Sequence, residues 1–305
     1  MSDITLRQLE YFLAALDDGS ITAAARTCSV TQATVSTALN ELERAVGTRL
    51  LVRSRTAGVR PTSAGTALVS RARAMLDLAR EIPDVAMGDQ STIVGSVRVG
   101  CIFPLGPYLL PQLISDFAEA HPGLDISFTE GATGDLRREL DVGRLDLVLT
   151  FGGQLPPTVP AQEIASFRQV ILLAADHPLA GRKEIAFREV AEMPVILFNQ
   201  PPSRDRVEAM IRGAGVEPDV RWESASPETV RGLVRRGLGY SVGNIGSEAE
   251  GRDSDDGIAY IPIDDPQAPN SIVAVYETGH PVPRRVSSIV DYFIEQSPTW
   301  EWLAY

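Results

Sequence analysis

Two groups of residues in this chain have types and spacings that can do chemistry. The first runs from Thr31 to Asn40, where Thr31, Gln32, Ser36, Thr37 and Asn40 supply uncharged donors and acceptors and no carboxylate occurs before Glu41. Such a surface can hydrogen-bond to base edges without repelling phosphate. Soon after it, Arg49, Arg53, Arg55 and Arg60 fall inside twelve positions, a density of guanidinium groups that suits a phosphate backbone. The second group is dispersed over the later chain. Ser203 and Arg204 open a predicted helix, and free backbone N–H groups beside a guanidinium make a receptor for a carboxylate. Phe103, Leu105 and Phe151 follow predicted strands, Ser226 precedes a helix and Asn244 follows a strand. Together these nominate a pocket for a small organic anion with an apolar body. Each feature has a plainer alternative: a solvated polar helix face, solvated hairpin arginines, or an N-cap at Ser203 with Arg204 paired to Glu208 one turn on.

Other chemistries find less support. Gly239-Tyr240-Ser241-Val242-Gly243 fits the G-x-S-x-G pattern of a nucleophile elbow, but an elbow needs strand, sharp turn and then helix. Here the helix comes first and the strand runs through the pattern. His121, His177 and His280 each precede a proline, which biases them to extended loops. No pair of Cys or His stands at metal-ligand spacing. No G-x-x-x-x-G-K-[ST] loop occurs, and no complete G-x-G-x-x-G follows a strand. The reading is therefore of a non-enzyme without cofactor or metal.

The elements that position the first group are legible from periodicity. Leu6, Leu9, Phe12, Leu13 and Leu16 mark an amphipathic helix ending at Asp18-Gly19. A second helix opens at Ile21-Thr22 with small Ala23, Ala24 and Ala25. After the turn Ser29-Val30-Thr31, a third begins with Thr31 as N-cap and Val35, Leu39, Leu42 and Val46 on one side. Helix, turn and second helix with a polar exposed end is the helix-turn-helix arrangement, whose second helix enters the major groove. Ser29 departs from the usual glycine at its turn. Two extended segments joined near Ala57-Gly58 form a basic hairpin, or wing, placing Arg53 and Arg55 against phosphate or minor groove. From Thr62 a long helix carries Ala64, Leu68, Ala72, Met75, Ala79 and Ile82 in a heptad-like seam that asks for a partner helix, closed by Pro83 and Gly88.

From Gly95 the pattern becomes α/β, with strands at 96–102, 124–129 and 145–151 and helices at 107–120 and 134–142. This alternation predicts a parallel sheet with helices on both faces. Strands at 170–175, 195–199, 220–224 and 240–243, with helices at 203–213 and 227–236, make a second unit, and a strand at 272–276 and a helix at 286–295 finish the chain. Two such units predict two lobes with a ligand cleft between them. The acidic stretch Glu248 to Asp256 reads as a solvated loop.

The 305 residues and 44% hydrophobic content suit a globular protein of two or more domains. No apolar run is long enough for a membrane span or a signal-peptide core, and only Cys28 and Cys101 are present, so a reducing cytoplasm is expected. The net charge of -12 is uneven. Residues 91–305 hold 18 basic and 30 acidic residues, the entire deficit, whereas residues 1–75 hold 9 Arg and 6 acids, net +3. The N-terminal end can therefore face a polyanion.

Residues 4 to 82 resemble the LysR-type transcriptional regulators through Leu6-Arg7-Gln8-Leu9-Glu10-Tyr11-Phe12, Gly19-Ser20-Ile21-Thr22-Ala23-Ala24-Ala25, Val30-Thr31-Gln32-Ala33-Thr34-Val35-Ser36, Leu42-Glu43-Arg44-Ala45-Val46-Gly47 and Pro61-Thr62-Ser63-Ala64-Gly65. The later half is similar to that family's effector domain, related to periplasmic solute-binding proteins, through Leu110 to Gly123, Leu145 to Leu149 and Val230 to Gly239. The resemblance implies a cytoplasmic regulator that binds double-stranded DNA, forms a homodimer or homotetramer through the linker helix, answers to a small-molecule effector and has RNA polymerase as a further partner. It places DNA contacts at Gln32, Ser36, Arg53 and Arg55. Ala33 stands where proline is usual and Thr37 where an arginine often reads a base. The implied fold is α/β overall: an all-α winged helix-turn-helix at 1–61 and a linker helix at 62–88, then a type 2 periplasmic-binding-protein fold. Its first lobe takes 91–165 and 268–305, and its second 166–267. A small-molecule-binding protein whose helix-turn-helix is an assembly module, and an enzyme on the same two-lobed scaffold, are the alternatives.

Overall fold

The computed structural model describes residues 4–54, 58–87, 93–244, 257–266, 269–278 and 281–303. The chain opens with α1 (Leu6–Asp17), α2 (Ile21–Thr27) and α3 (Gln32–Val46), then β1 (Leu51–Ser54), β2 (Gly58–Pro61) and the long α4 (Ser63–Met87). Thr5 and Gln8 cap α1 reciprocally, each backbone N–H donating to the other's side chain at 3.0 and 3.2 Å. The apolar stripes of α1 and α3 close one core through Leu9, Phe12, Val35, Leu39 and Leu42, and small Ala24 and Ala25 of α2 let the helices approach. Of the seam, Ala72 is buried and Ala64 and Leu68 pack against this same core. Met75 and Ile82 are exposed. The seam thus divides: its first half serves its own domain, and only the second half is left for a partner. The helix runs through Pro83 to Met87, the residue before Gly88, close to the expected span of 62–88.

Ser29 at the turn has φ of 55°, the one non-glycine in the left-handed region among the described residues. The chain has to reverse tightly there, because Val30 N–H must donate to Ala25 O at 2.8 Å while Thr31 starts the next helix. A side chain in that region costs about 1 kcal/mol or more. Ser29→Gly is therefore expected to stabilise the protein by about 0.5 kcal/mol, part of the strain relief being offset by the freer unfolded chain. Ser29→Val should destabilise it. Urea unfolding midpoints falling in any order other than Gly, Ser, Val would refute this.

The rest builds two sheets. In chain order come β3 (Gly95–Ile102), α5 (Gly106–Ala120), β4 (Leu124–Gly131), α6 (Thr133–Asp141), β5 (Leu147–Phe151), β6 (Gln162–Arg168), β7 (Val170–Ala174), β8 (Val195–Phe198), α7 (Ser203–Gly213), β9 (Val220–Ser224), α8 (Pro227–Arg235), β10 (Ser241–Gly243), β11 (Ile258–Pro262), β12 (Pro269–Val275) and α9 (Arg284–Gln296). The first sheet has the order β4-β3-β5-β12-β6 and the second centres on β10-β7-β11. Ile196 N–H donates to Tyr240 O at 2.8 Å, which joins the β8-β9 pair to that second sheet.

The expected parallel pairing holds for β4-β3-β5, and β8-β9 of the second lobe is parallel too, but β12 runs antiparallel to both β5 and β6. The strands β6 and β11, unrecognised in the sequence, explain why. The chain crosses from the first sheet to the second at Gln169, between β6 and β7, and back between β11 and β12. Each crossing leaves one strand in either sheet, β6 and β11 at an edge and β12 and β7 inside, and all four pair antiparallel. The acidic stretch 248–256 lies outside the described residues. On the first lobe, α4 packs at Gly143, where a Cβ would come 2.9 Å from Val69 Cγ1, and Arg73 of the same helix pairs with Asp17 of α1 at 2.6 Å. One helix thus touches both halves of the chain.

Candidate DNA-binding face and effector cleft

On the DNA-binding side, Thr31 caps α3 by accepting from Thr34 N–H at 3.1 Å. That bond commits its hydroxyl to the helix start. Gln32, Thr37 and Asn40 are exposed and Ser36 is half-buried. The wing is held against this helix at two levels. At its base, Glu43 of α3 accepts from Leu50 and Leu51 N–H at 2.8 and 3.0 Å, and Thr62 N–H donates to Leu50 O at 2.9 Å. Higher up, the Arg53 guanidinium donates to Asn40 Oδ1 at 3.1 Å and to Ser36 Oγ at 3.4 Å. The structure therefore brings Ser36, Asn40 and Arg53 into one cluster, with Gln32 and Thr37 exposed on the same helix. Arg55 lies outside the described residues. Glu43, which fixes the wing, was not singled out from the sequence. Its signal was an acid on the recognition helix of a domain that has to bind an anion.

Between the lobes lies a cavity of about 250 Å³ lined by Phe103, Phe151, Ser203 and Asn244 among the expected residues, with Tyr108 and Phe198 adding aromatic surface. Three expectations need correction. Leu105 is fully buried in the core of the first lobe, because as the residue before α5 it turns its side chain in under the helix. Arg204 does not face the cavity: it pairs with Glu223 at 2.8 Å and with Glu208 at 2.9 Å. Those carboxylates, the Glu223 hydrogen bond above all, stabilise its charged form. It is thus satisfied by its own lobe and is no carboxylate receptor. Ser226 caps α8 by accepting from Thr229 N–H at 3.3 Å, and its neighbours Pro227 and Glu228, rather than Ser226, line the cavity.

Arg206, one helical turn beyond Ser203, was missed. It has no acid three or four positions away in the sequence, whereas Arg204 has Glu208, and that contrast was the available signal. Burial lowers its pKa, and its guanidinium reaches across to Gly153 O of the other lobe at 3.2 Å. Ser241, the serine of the elbow-like pattern, is buried in β10 and donates to Ile196 O at 2.7 Å, so its hydroxyl is a strand fastening. Among the described residues no group of three His, Cys, Asp or Glu could hold a metal ion, and no helix is long and apolar enough to cross a membrane.

Comparison with known proteins agrees with this two-part construction. The family model "Bacterial regulatory helix-turn-helix protein, lysR family" matches residues 6–66, and "LysR substrate binding domain" matches residues 90–298. The chain is similar to the hydrogen peroxide-inducible genes activator of Pectobacterium carotovorum subsp. carotovorum, at 31% identity over 94% of this chain and 95% of that one. It is 30% identical to the DNA-binding transcriptional dual regulator OxyR of Escherichia coli K12, over 94% of each chain. Among solved structures, a full-length OxyR from Pseudomonas aeruginosa with one cysteine replaced by aspartate superposes with a TM-score of 0.74 at 25% identity, covering 96% of this chain and 98% of that one. The polar recognition helix with its clasped wing, the linker helix and the cleft between two crossed-over lobes are thus those of a known line, and this chain belongs to the LysR family of DNA-binding transcriptional regulators.

Proposed function

We propose that the protein is a cytoplasmic regulator that binds its operators as a homodimer or homotetramer, and that a small organic effector with an apolar, partly aromatic body occupies the inter-lobe cleft. Residues 1–61 bind DNA, 62–88 pair two chains and the rest forms the two-lobed sensor. The observation that carries this is the joining of Arg53 to Ser36 and Asn40, which presents a cation and uncharged hydrogen-bonding groups as one surface. The exposed Met75 and Ile82 support pairing through α4. With the Arg204 receptor set aside, anionic character in the effector rests on Ser203 and Asn244 as donors. RNA polymerase is the partner through which bound protein alters transcription.

Footprinting on the promoter of its own gene tests the reading. We expect protection of two half-sites about one helical turn apart, with affinity falling steeply as salt rises. A protein that sediments as a monomer and protects nothing at low ionic strength would overturn it.

The curated relatives are named for hydrogen peroxide, but the thiols here are poorly suited to sense it. Cys101 is fully buried in β3, and that burial pushes its thiol pKa well up. Cys28 at the end of α2 is also raised, by burial first and then by Glu10 and Asp18. Peroxide reacts with thiolate, and both environments disfavour that form. The Cys28→Ser, Cys101→Ser double variant is expected to footprint like the parent with and without peroxide. A peroxide response present in the parent and lost in the variant would reverse this assignment.

A further inference from the structure

We infer that a continuous run of hydrogen bonds centred on Asn244 clasps the two lobes, and that release of this clasp is the event that reaches the DNA-binding domain. The second step rests on the regulatory reading above; the first does not. The run begins in the second lobe, where Arg206 of α7 donates to Gly153 O at 3.2 Å. The guanidinium lies directly over that residue, since a Cβ on Gly153 would come 2.3 Å from Arg206 Cζ. Gly153 N–H then donates to Asn270 Oδ1 at 3.0 Å, an oxygen that also accepts from Ser271 N–H at 2.9 Å. Asn270 Nδ2 donates to Asn244 Oδ1 at 3.1 Å, and Gln169 Nε2 donates to the same oxygen at 2.8 Å.

The placement of these residues gives the run its consequence. Gln169 stands on the first crossing between lobes and Asn270 at the start of the strand that follows the second. Both are buried, where an amide that loses its partner is costly, so members of such a network hold or yield together. The clasp is also incompletely satisfied: Gln169 Oε1 and Arg206 Nε are buried without a hydrogen-bond partner among the described residues. Release of the clasp therefore forfeits no hydrogen bond at these two atoms. Asn244 lines the cleft, and among the described residues both of its side-chain bonds fall on Oδ1, which leaves the Nδ2 donors for a carbonyl or carboxylate oxygen in the cavity. An occupant that turns this amide toward itself draws Oδ1 away from the crossings. A ligand shifts the lobes only through such a difference between states.

Hydrogen exchange on the full-length protein, without DNA or effector, tests the clasp. Asn244→Leu removes the shared acceptor, Asn244→Asp keeps it, and Arg206→Met cuts the far end. Peptides containing Gly153 and Ser271 are expected to exchange about tenfold faster in Asn244→Leu and at the parent rate in Asn244→Asp. Arg206→Met should accelerate Ser271 as well, although Arg206 does not touch it. Parent-like exchange in Asn244→Leu, or an Arg206→Met effect confined to Gly153, would overturn the clasp. If Asn244→Leu does not fold, Arg206→Met decides alone. Footprints on its own promoter then test the second step: both clasp-breaking variants should give one and the same footprint, altered from that of the parent. Faster exchange with unaltered footprints would overturn the coupling, whereas no footprint from the parent would point to the DNA-binding reading instead.

Discussion

Replacing Gly65 by alanine is expected to unfold the junction between the wing and α4, at a cost of about 3 kcal/mol or more. The change looks innocuous from sequence, because Gly→Ala inside a helix ordinarily stabilises by about 1 kcal/mol. Here the added Cβ would stand 2.0 Å from Leu50 O and 3.2 Å from Pro61 Cβ. A flexible side chain could give way, but Leu50 is backbone and is held on both sides. Its N–H donates to Glu43 at 2.8 Å, and its carbonyl accepts from Thr62 N–H at 2.9 Å. Thr62 in turn caps α4, its Oγ1 accepting from Gly65 N–H at 3.0 Å. Relief of the clash therefore breaks the cap, the wing base or both. Chemical denaturation followed by circular dichroism should show an early transition confined to the N-terminal domain, together with loss of promoter binding. An unfolding midpoint for Gly65→Ala equal to or above the parent's would show that the junction yields freely and that the clash does not govern its packing.

Arg53→Ala is expected to weaken binding to every duplex by about tenfold per protomer and to reduce the log-log salt slope by about 0.9 for each phosphate that is no longer neutralised. Arg53 is exposed, yet it is oriented by Ser36 and Asn40, so in the proposed role it would meet the backbone already placed against α3. Asn40→Ala should show part of the same loss because the guanidinium is then free to wander. Gln32→Ala, by contrast, should reduce discrimination between operator and random sequence while leaving the salt slope unchanged. Measuring all three by fluorescence anisotropy over a range of salt separates the roles. Were Arg53→Ala to keep the parental salt slope, its guanidinium would be bonded only within the protein.

Local elements were legible wherever one physical pattern dominated. The span of α7, the cap at Thr31 and the buried stripe of α3 follow from periodicity and capping chemistry that act within a few residues. The strands β6 and β11 were not, because a strand that crosses between lobes is recognised by what it pairs with and not by its own alternation. Site residues divide the same way. Phe103, Phe151, Ser203 and Asn244 line the cleft because strand ends and helix starts converge there, a rule readable in one dimension. Leu105 and Arg204 satisfy the same rule and still face elsewhere. One is carried into the core as its helix begins, and the other is captured by Glu223, nineteen positions away in the chain.

The amino-acid order alone determined that a polar, carboxylate-free helix end followed by arginines would be joined through an apolar linker to an acidic α/β sensor, since composition, charge and period are local properties. Folding decided which of those charges remain available. Arg204 and Arg206 are two positions apart on one helix, but the first is satisfied by carboxylates of its own lobe and the second reaches across to the other. Partners for a charge are chosen by distance in space, and the crossing of the chain between its two sheets sets those distances.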